Sequence, residues 1–213
     1  MGQNQANLGS TTMRWSAGIL IVLATAFVSE AQTPKVEKPL ADLYPLKVGT
    51  KWTYDVDAGN GQKVQVTNQI SKLETIDGQS LARMETLVNG NVQTSEHLSA
   101  TAKGVFRHRA NGVECTPAVC ILKYPPKEGE KWEETTKIGP QEVKMACVSG
   151  PSEEVTTQAG KYKAVSVAVD TTINGVKLES TSWYAPGVGM VKQKVVIGGR
   201  TITLELVKFE AGK

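Results

Sequence analysis

From Trp52 onward, apolar residues recur at every second position along most of this chain. Trp52, Tyr54 and Val56 alternate with Thr53, Asp55 and Asp57, which predicts a strand with one apolar and one polar face. Val64, Val66, Ile70 and Leu73 continue the pattern in a long second strand. Ala82, Met84, Thr86 and Val88 lead into Asn89-Gly90, and Val165, Val167 and Val169 lead towards Asn174-Gly175. Asn-Gly is the favoured pair for a two-residue hairpin because both positions need positive φ. Gly198-Gly199 predicts the last such turn, between Met190–Ile197 and Thr201–Phe209. No stretch beyond the N-terminal region keeps a helical period, so the expected fold is all-β, an antiparallel meander of about a dozen hairpin-linked strands. Strand twist accumulates and open edges attract other chains, so the meander should curl into a barrel, a half-barrel or two packed sheets.

The pattern is also doubled. Tyr44-Pro45-Leu46-Lys47-Val48-Gly49-Thr50-Lys51-Trp52 returns eighty residues later as Tyr124-Pro125-Pro126-Lys127-Glu128-Gly129-Glu130-Lys131-Trp132. Gly59 with Gly139, Gly78 with Gly160, Asn89-Gly90 with Asn174-Gly175 and Gly104 with Gly189 follow in order, at a slowly growing offset. Such a series is the mark of an internal repeat. It predicts one β domain over 44–213 made of two copies, 44–123 and 124–213, each of about five or six strands. In the shared tract Pro stiffens the approach, Gly turns the corner and Trp is the first large side chain aimed inward. Trp52 and Trp132 should therefore plug equivalent ends of the two copies. Trp183 and Tyr184 are the other aromatic candidates for the interior, and aromatic platforms for a sugar or a lipid are the alternative use.

The first 31 residues read differently. Trp15–Val28 is an apolar run of 14 residues behind Arg14, followed by Ser29-Glu30-Ala31. This predicts a signal helix cleaved after Ala31, and hence a periplasmic or secreted protein. The run falls short of the roughly 20 residues of a membrane-spanning helix, so no stable span is expected after cleavage. Met13, directly before Arg14, is an alternative start, and the absence of cysteine just after Ala31 argues against lipid attachment there. Residues 32–43 form a Pro- and Lys-containing arm.

Removing residues 1–31 leaves 182 of 213 residues, with 23 basic against 20 acidic side chains, a net charge of +3. That near-neutral balance lacks the basic stripe of a nucleic-acid binder. Three cysteines, Cys115, Cys120 and Cys147, admit one disulfide. Chain-entropy arithmetic gives about 2 kcal/mol for Cys115 with Cys120 and about 3.5 kcal/mol for Cys120 with Cys147. Thr116-Pro117-Ala118-Val119 reads as a turn, which favours Cys115 with Cys120. The spacing offers no second pair for a zinc site, and no metal or other cofactor is expected.

Three tracts together, Tyr44–Tyr54, Ala159-Gly160-Lys161-Tyr162-Lys163-Ala164 and Trp183-Tyr184-Ala185-Pro186-Gly187-Val188-Gly189-Met190-Val191-Lys192, resemble the TapB-like proteins, exported bacterial proteins of unknown function. The resemblance spans most of the chain beyond the leader. It implies export and a shared fold, and brings no catalytic residues to carry over.

Catalytic motifs are missing. There is no Gly-x-Ser-x-Gly elbow, no His-Glu-x-x-His and no phosphate-binding glycine loop, and His97 and His108 are the only histidines. At the offset of the repeat Gln193 stands where His108 does, so that position calls for a polar side chain and not a titrating one. A Cys-His nucleophile, Cys115 with His108 or Cys147 with His97, would need a reduced thiol, which export disfavours. The one candidate site is basic. Arg107 and Arg109 match Lys192 and Lys194, each pair on one face of its strand, and the four cations would form a patch for an anion or lipid head group if their strands met.

These features predict a non-enzymatic binding module with a curved interior for a small apolar or lipid-like ligand. An envelope assembly protein docking a protein or polymer partner is the alternative, and a hydrolase ranks third.

Overall fold

A computed structural model describes residues 44–59 and 63–213. The expected leader, its cleavage after Ala31 and the arm at 32–43 lie outside the described residues. Twelve strands follow one another: β1 (Lys51–Asp57), β2 (Lys63–Ile76), β3 (Gln79–Val88), β4 (Asn91–Thr101), β5 (Gly104–Ala110), β6 (Val113–Lys123), β7 (Lys131–Ile138), β8 (Gln141–Thr157), β9 (Gly160–Ile173), β10 (Val176–Ala185), β11 (Gly189–Ile197) and β12 (Arg200–Glu210). Each pairs antiparallel with the next, and β12 returns to β1, so the meander closes into a barrel. Of the three shapes the alternation allowed, this one gives every strand a neighbour on both sides.

Closure is tight where the ends meet. β1 pairs over its whole length with β12 on one side and β2 on the other, Trp52 lying opposite Phe209 and Asn68. Turn chemistry follows the sequence. Asn89-Gly90 and Asn174-Gly175 have positive φ at both positions, and so do Asp77-Gly78 and Asn111-Gly112.

β1–β6 and β7–β12 start alike. Gly49 N–H donates to the Ile70 carbonyl at 2.8 Å, Thr50 N–H to Lys47 at 3.1 Å and Ile70 N–H to Thr50 at 2.9 Å. The same three bonds recur from Gly129 to Ser149 at 2.8 Å, Glu130 to Lys127 at 3.0 Å and Ser149 to Glu130 at 2.9 Å. Trp52 and Trp132 are each the second residue of their strand, and both are buried in one core.

That core fills one end of the barrel. Tyr44 packs on Trp52 and Tyr184 with ring centroids 5.6 and 6.0 Å apart, and Phe209 closes on Trp52 at 6.1 Å. The polar tips are satisfied: Trp52 donates to the Val188 carbonyl and Tyr54 to that of Met190, the latter at 2.9 Å. Gly189 lies against Tyr44 and Trp52 of this plug, and its φ of +89 calls for glycine. Towards the opposite end the inward residues open up: Val56, Val66, Ile202 and Leu204 are half-buried, and Val64 and Ile197 are exposed. Outward positions such as Thr53, Asp55, Lys131 and Glu133 are polar, the inverse of a barrel that faces lipid.

The second junction between halves is looser. β6 and β7 share only two ladder pairs, Cys115 with Ile138 and Thr116 with Lys137. Side chains bridge the rest: Trp132 donates to the Cys120 carbonyl at 3.2 Å and Thr136 to that of Pro117 at 2.7 Å. Here the expected turn at Thr116–Val119 is corrected. It lies inside β6, with the irregularity falling opposite Arg107–Arg109, and it makes no hairpin that would bring Cys115 onto Cys120. All three cysteines are free and buried.

Candidate functional site

Between the aromatic plug and the open rim lies a cavity of about 320 Å³. Alternation along β8, β9 and β10 sends Val143, Met145 and Cys147, then Val169, Thr171 and Ile173, then Leu178, Ser180 and Ser182 into it. Ile121 of β6, Ile138 of β7 and Val195 of β11 complete an apolar wall. The volume is at the lower end of small-molecule sites, roughly 300–1,000 Å³.

The floor of the cavity is polar. Arg107 reaches into it from β5 and pairs with Glu96 of β4, Nη2 to Oε1, at 2.9 Å. Arg107 keeps 31% of its side-chain surface accessible although the barrel surrounds it, because that surface fronts the cavity. Its Nε is buried without a partner. Burial opposes the guanidinium's charge, and the Glu96 carboxylate more than offsets this and holds the group protonated. Tyr184 and Ser182 bond to each other, and Gln193 donates to Ser182 Oγ at 2.9 Å. Burial raises the Tyr184 hydroxyl above the usual tyrosine range and the Tyr44 hydroxyl well above it, so both stay neutral donors.

Cys120 and Cys147 line the same cavity and lie near each other, whereas Cys115 neighbours Arg107 and Glu96. Burial pushes Cys120 to about 11 and Cys147 to about 12, which leaves both as unreactive thiols.

The expected four-cation patch does not form. Arg107 points inward, whereas Lys192 and Lys194 point outward, because Gln193 between them takes the inward position. β5 and β11 also stand six strands apart in a ring of twelve. Arg109 reaches Asp77 at 3.9 Å and Lys192 reaches Glu205 at 2.8 Å. Trp183 is likewise corrected. Adjacent residues on a strand face opposite ways, so Tyr184 takes the interior while Trp183 lies half-buried on the outside, bonded to Glu153. Trp52, Trp132 and Tyr184 are interior.

The histidines have structural partners. His97, buried on the far side of β4 from Leu98, bonds Glu74 at 2.7 Å. His108 shares a 2.8 Å hydrogen bond with Ser99 Oγ, and Gln193 holds Ser182 Oγ in a similar way. Desolvation and the nearby His97 push the His108 imidazole below its ordinary range.

Glu96 and Ser182 escaped the sequence reading, which met Gln193 only as the polar counterpart of His108. Their signal was parity: Glu96 shares its strand face with Leu98, and Ser182 with Tyr184.

A family model described as DUF3108-like matches residues 148–195, which run from β8 through β9 and β10 into β11. The Ala159–Ala164 and Trp183–Lys192 tracts fall inside this stretch. Comparison with curated proteins returned no match. Among solved structures, a candidate lipoprotein from Parabacteroides distasonis ATCC 8503 is similar over 82% of this chain and 100% of its own, with 12% identity and a TM-score of 0.48. A candidate exported protein with YmcC-like fold from Bacteroides fragilis NCTC 9343 is similar over 79% of this chain and 98% of its own, with 12% identity and a TM-score of 0.46.

Proposed function

We propose that this chain is an exported, non-catalytic binding module whose barrel holds a small apolar or lipid-like molecule. One observation carries the reading: a barrel that is packed solid with aromatic residues at one end keeps an apolar-walled cavity of about 320 Å³ leading to the other. Protein interiors ordinarily close such space, since unfilled apolar volume costs stability. A bound apolar body would recover that contact. Export rests on the leader at 1–31, and the three buried thiols keep clear of solvent chemistry by their burial.

The test uses uptake of N-phenyl-1-naphthylamine, a neutral dye that fluoresces in apolar surroundings. Wild type is expected to take up about one dye per chain, and Val169→Trp or Leu178→Trp, which fill the cavity, to abolish uptake while keeping the β-sheet circular dichroism. Native mass spectrometry of protein isolated from its own envelope should show a bound small molecule. Uptake that survives both tryptophan variants would sink the proposal.

A second reading, docking of an envelope partner, is favoured by the β6–β7 junction, where most of two facing strand edges lack ladder pairs. Crosslinking in cells at Thr135 and Ala118 would capture that partner, and a strictly monomeric pattern counts against it.

A further inference from the structure

The floor of the cavity carries a mixed charge pair where a simple apolar pocket would carry none, and that pair decides what kind of molecule fits. Arg107 and Glu96 meet at 2.9 Å, so the cation that fronts the cavity among the described residues is already matched by an anion. The other groups that face them there are uncharged: the Tyr44, Tyr184 and Ser182 hydroxyls, the Gln193 amide and the Cys115 thiol. Near the wall, burial pushes the Glu134 carboxyl of β7 above its ordinary range, and Lys123 of β6 is already paired with Glu130 at 3.1 Å. A free carboxylate or phosphate placed against Arg107 would therefore meet Glu96 at close range, and in a low-dielectric interior that repulsion outweighs the added hydrogen bond. An uncharged acceptor meets no such opposition. A guanidinium has five N–H donors, and the carboxylate leaves some of them free.

The apolar wall fixes the rest of the ligand. Met145, Val169, Ile173, Leu178 and Val195 extend from this floor towards the exposed rim at Ile197, which suits one extended hydrocarbon chain. Resting on the binding function proposed above, we infer that the cavity takes an uncharged single-chain amphiphile. Its carbonyl or hydroxyl end sits on Arg107, Ser182 and Gln193, and its chain points to the rim.

The experiment compares two ligands with the same twelve-carbon chain, 1-monolauroylglycerol and laurate, as displacers of bound N-phenyl-1-naphthylamine at pH 7.5, below their aggregation thresholds. Wild type should release the dye at a roughly tenfold lower concentration of the glyceride than of laurate, the usual worth of one charge-assisted hydrogen bond set against repulsion. Glu96→Gln should abolish the preference by strengthening laurate about tenfold, while the glyceride shifts less than about threefold. Ser182→Ala, which keeps the ion pair and removes only the hydroxyl, should weaken the glyceride by about threefold to tenfold and leave laurate unchanged. Equal displacement by both ligands in wild type, or an unchanged preference in Glu96→Gln, overturns this inference and leaves the binding function standing. Failure of the full chain to take up dye at all overturns both.

Discussion

Trp132 donates its indole N–H to the Cys120 carbonyl at 3.2 Å, across the junction of β6 and β7 that the backbone itself joins at just two residue pairs. Lys123 lies over the same indole, 5.3 Å from the ring centroid. The corresponding junction at β12 and β1 is laced along its length, so a side chain does at one seam what the main chain does at the other. Trp132→Phe keeps most of the buried area and removes the donor, which should cost about 1–2 kcal/mol. Amide exchange is expected to rise in 117–123 and 131–136 and stay unchanged in β1 and β12. Uniform exchange around the ring would contradict the seam.

Gly104 opens β5 with φ +154, and a Cβ there would run into the Leu122 carbonyl oxygen and crowd Cys120. Both atoms belong to a paired strand that has little room to withdraw. Gly104→Ala should destabilise by more than about 2 kcal/mol, whereas Gly90→Ala, which meets nothing but needs positive φ, should cost about 1 kcal/mol. Urea midpoints of the two variants give the comparison, and a smaller effect at Gly104 would be the wrong order.

Glu74 is held at about 2, below its ordinary 4.5, first by the hydrogen bond from His97 and then by that from Lys72. A carboxyl with a depressed folded-state value stabilises the protein above its unfolded value and loses that contribution as pH falls through the folded one. Wild-type melting temperature should therefore drop between about pH 4.5 and 2 more steeply than that of Glu74→Gln. Parallel profiles for the two proteins would show that the pairing carries no stability.

All three cysteines are free, and attack on a disulfide reagent needs the thiolate. In 6 M guanidinium (roughly the level that unfolds even very stable domains) three thiols per chain should titrate with dithiobis-nitrobenzoate, and in the native state at pH 8 the reaction should be slow. A count of one in denaturant would restore the disulfide that the structure lacks.

Parity along the strands was readable before any coordinates, because a half-buried strand must alternate apolar and polar side chains. It yielded the all-β meander, the Asn-Gly hairpins and the inward course of Trp52 and Trp132. The doubled Tyr-Pro tract likewise marked where β1 and β7 begin, since its first Lys accepts the same local hydrogen bond in both places, from Thr50 to Lys47 and from Glu130 to Lys127. Local interactions depend on neighbours in the chain, and neighbours are written in order.

Which of two adjacent residues faces inward is a different kind of question where the apolar signal is mixed. Trp183 and Tyr184 both looked interior, and only the register against β9 and β11 assigns Tyr184 to the cavity. Arg107 read as sharing one strand face with Arg109, yet the irregular pairing of β5 with β6 separates them and sends Arg107 inside to Glu96. Ring closure then decides distance: it holds β5 and β11 on opposite sides and keeps the four cations apart. Those outcomes depend on the accumulated twist, the bulges and the closure of the whole sheet, so they arise only when the last strand finds the first.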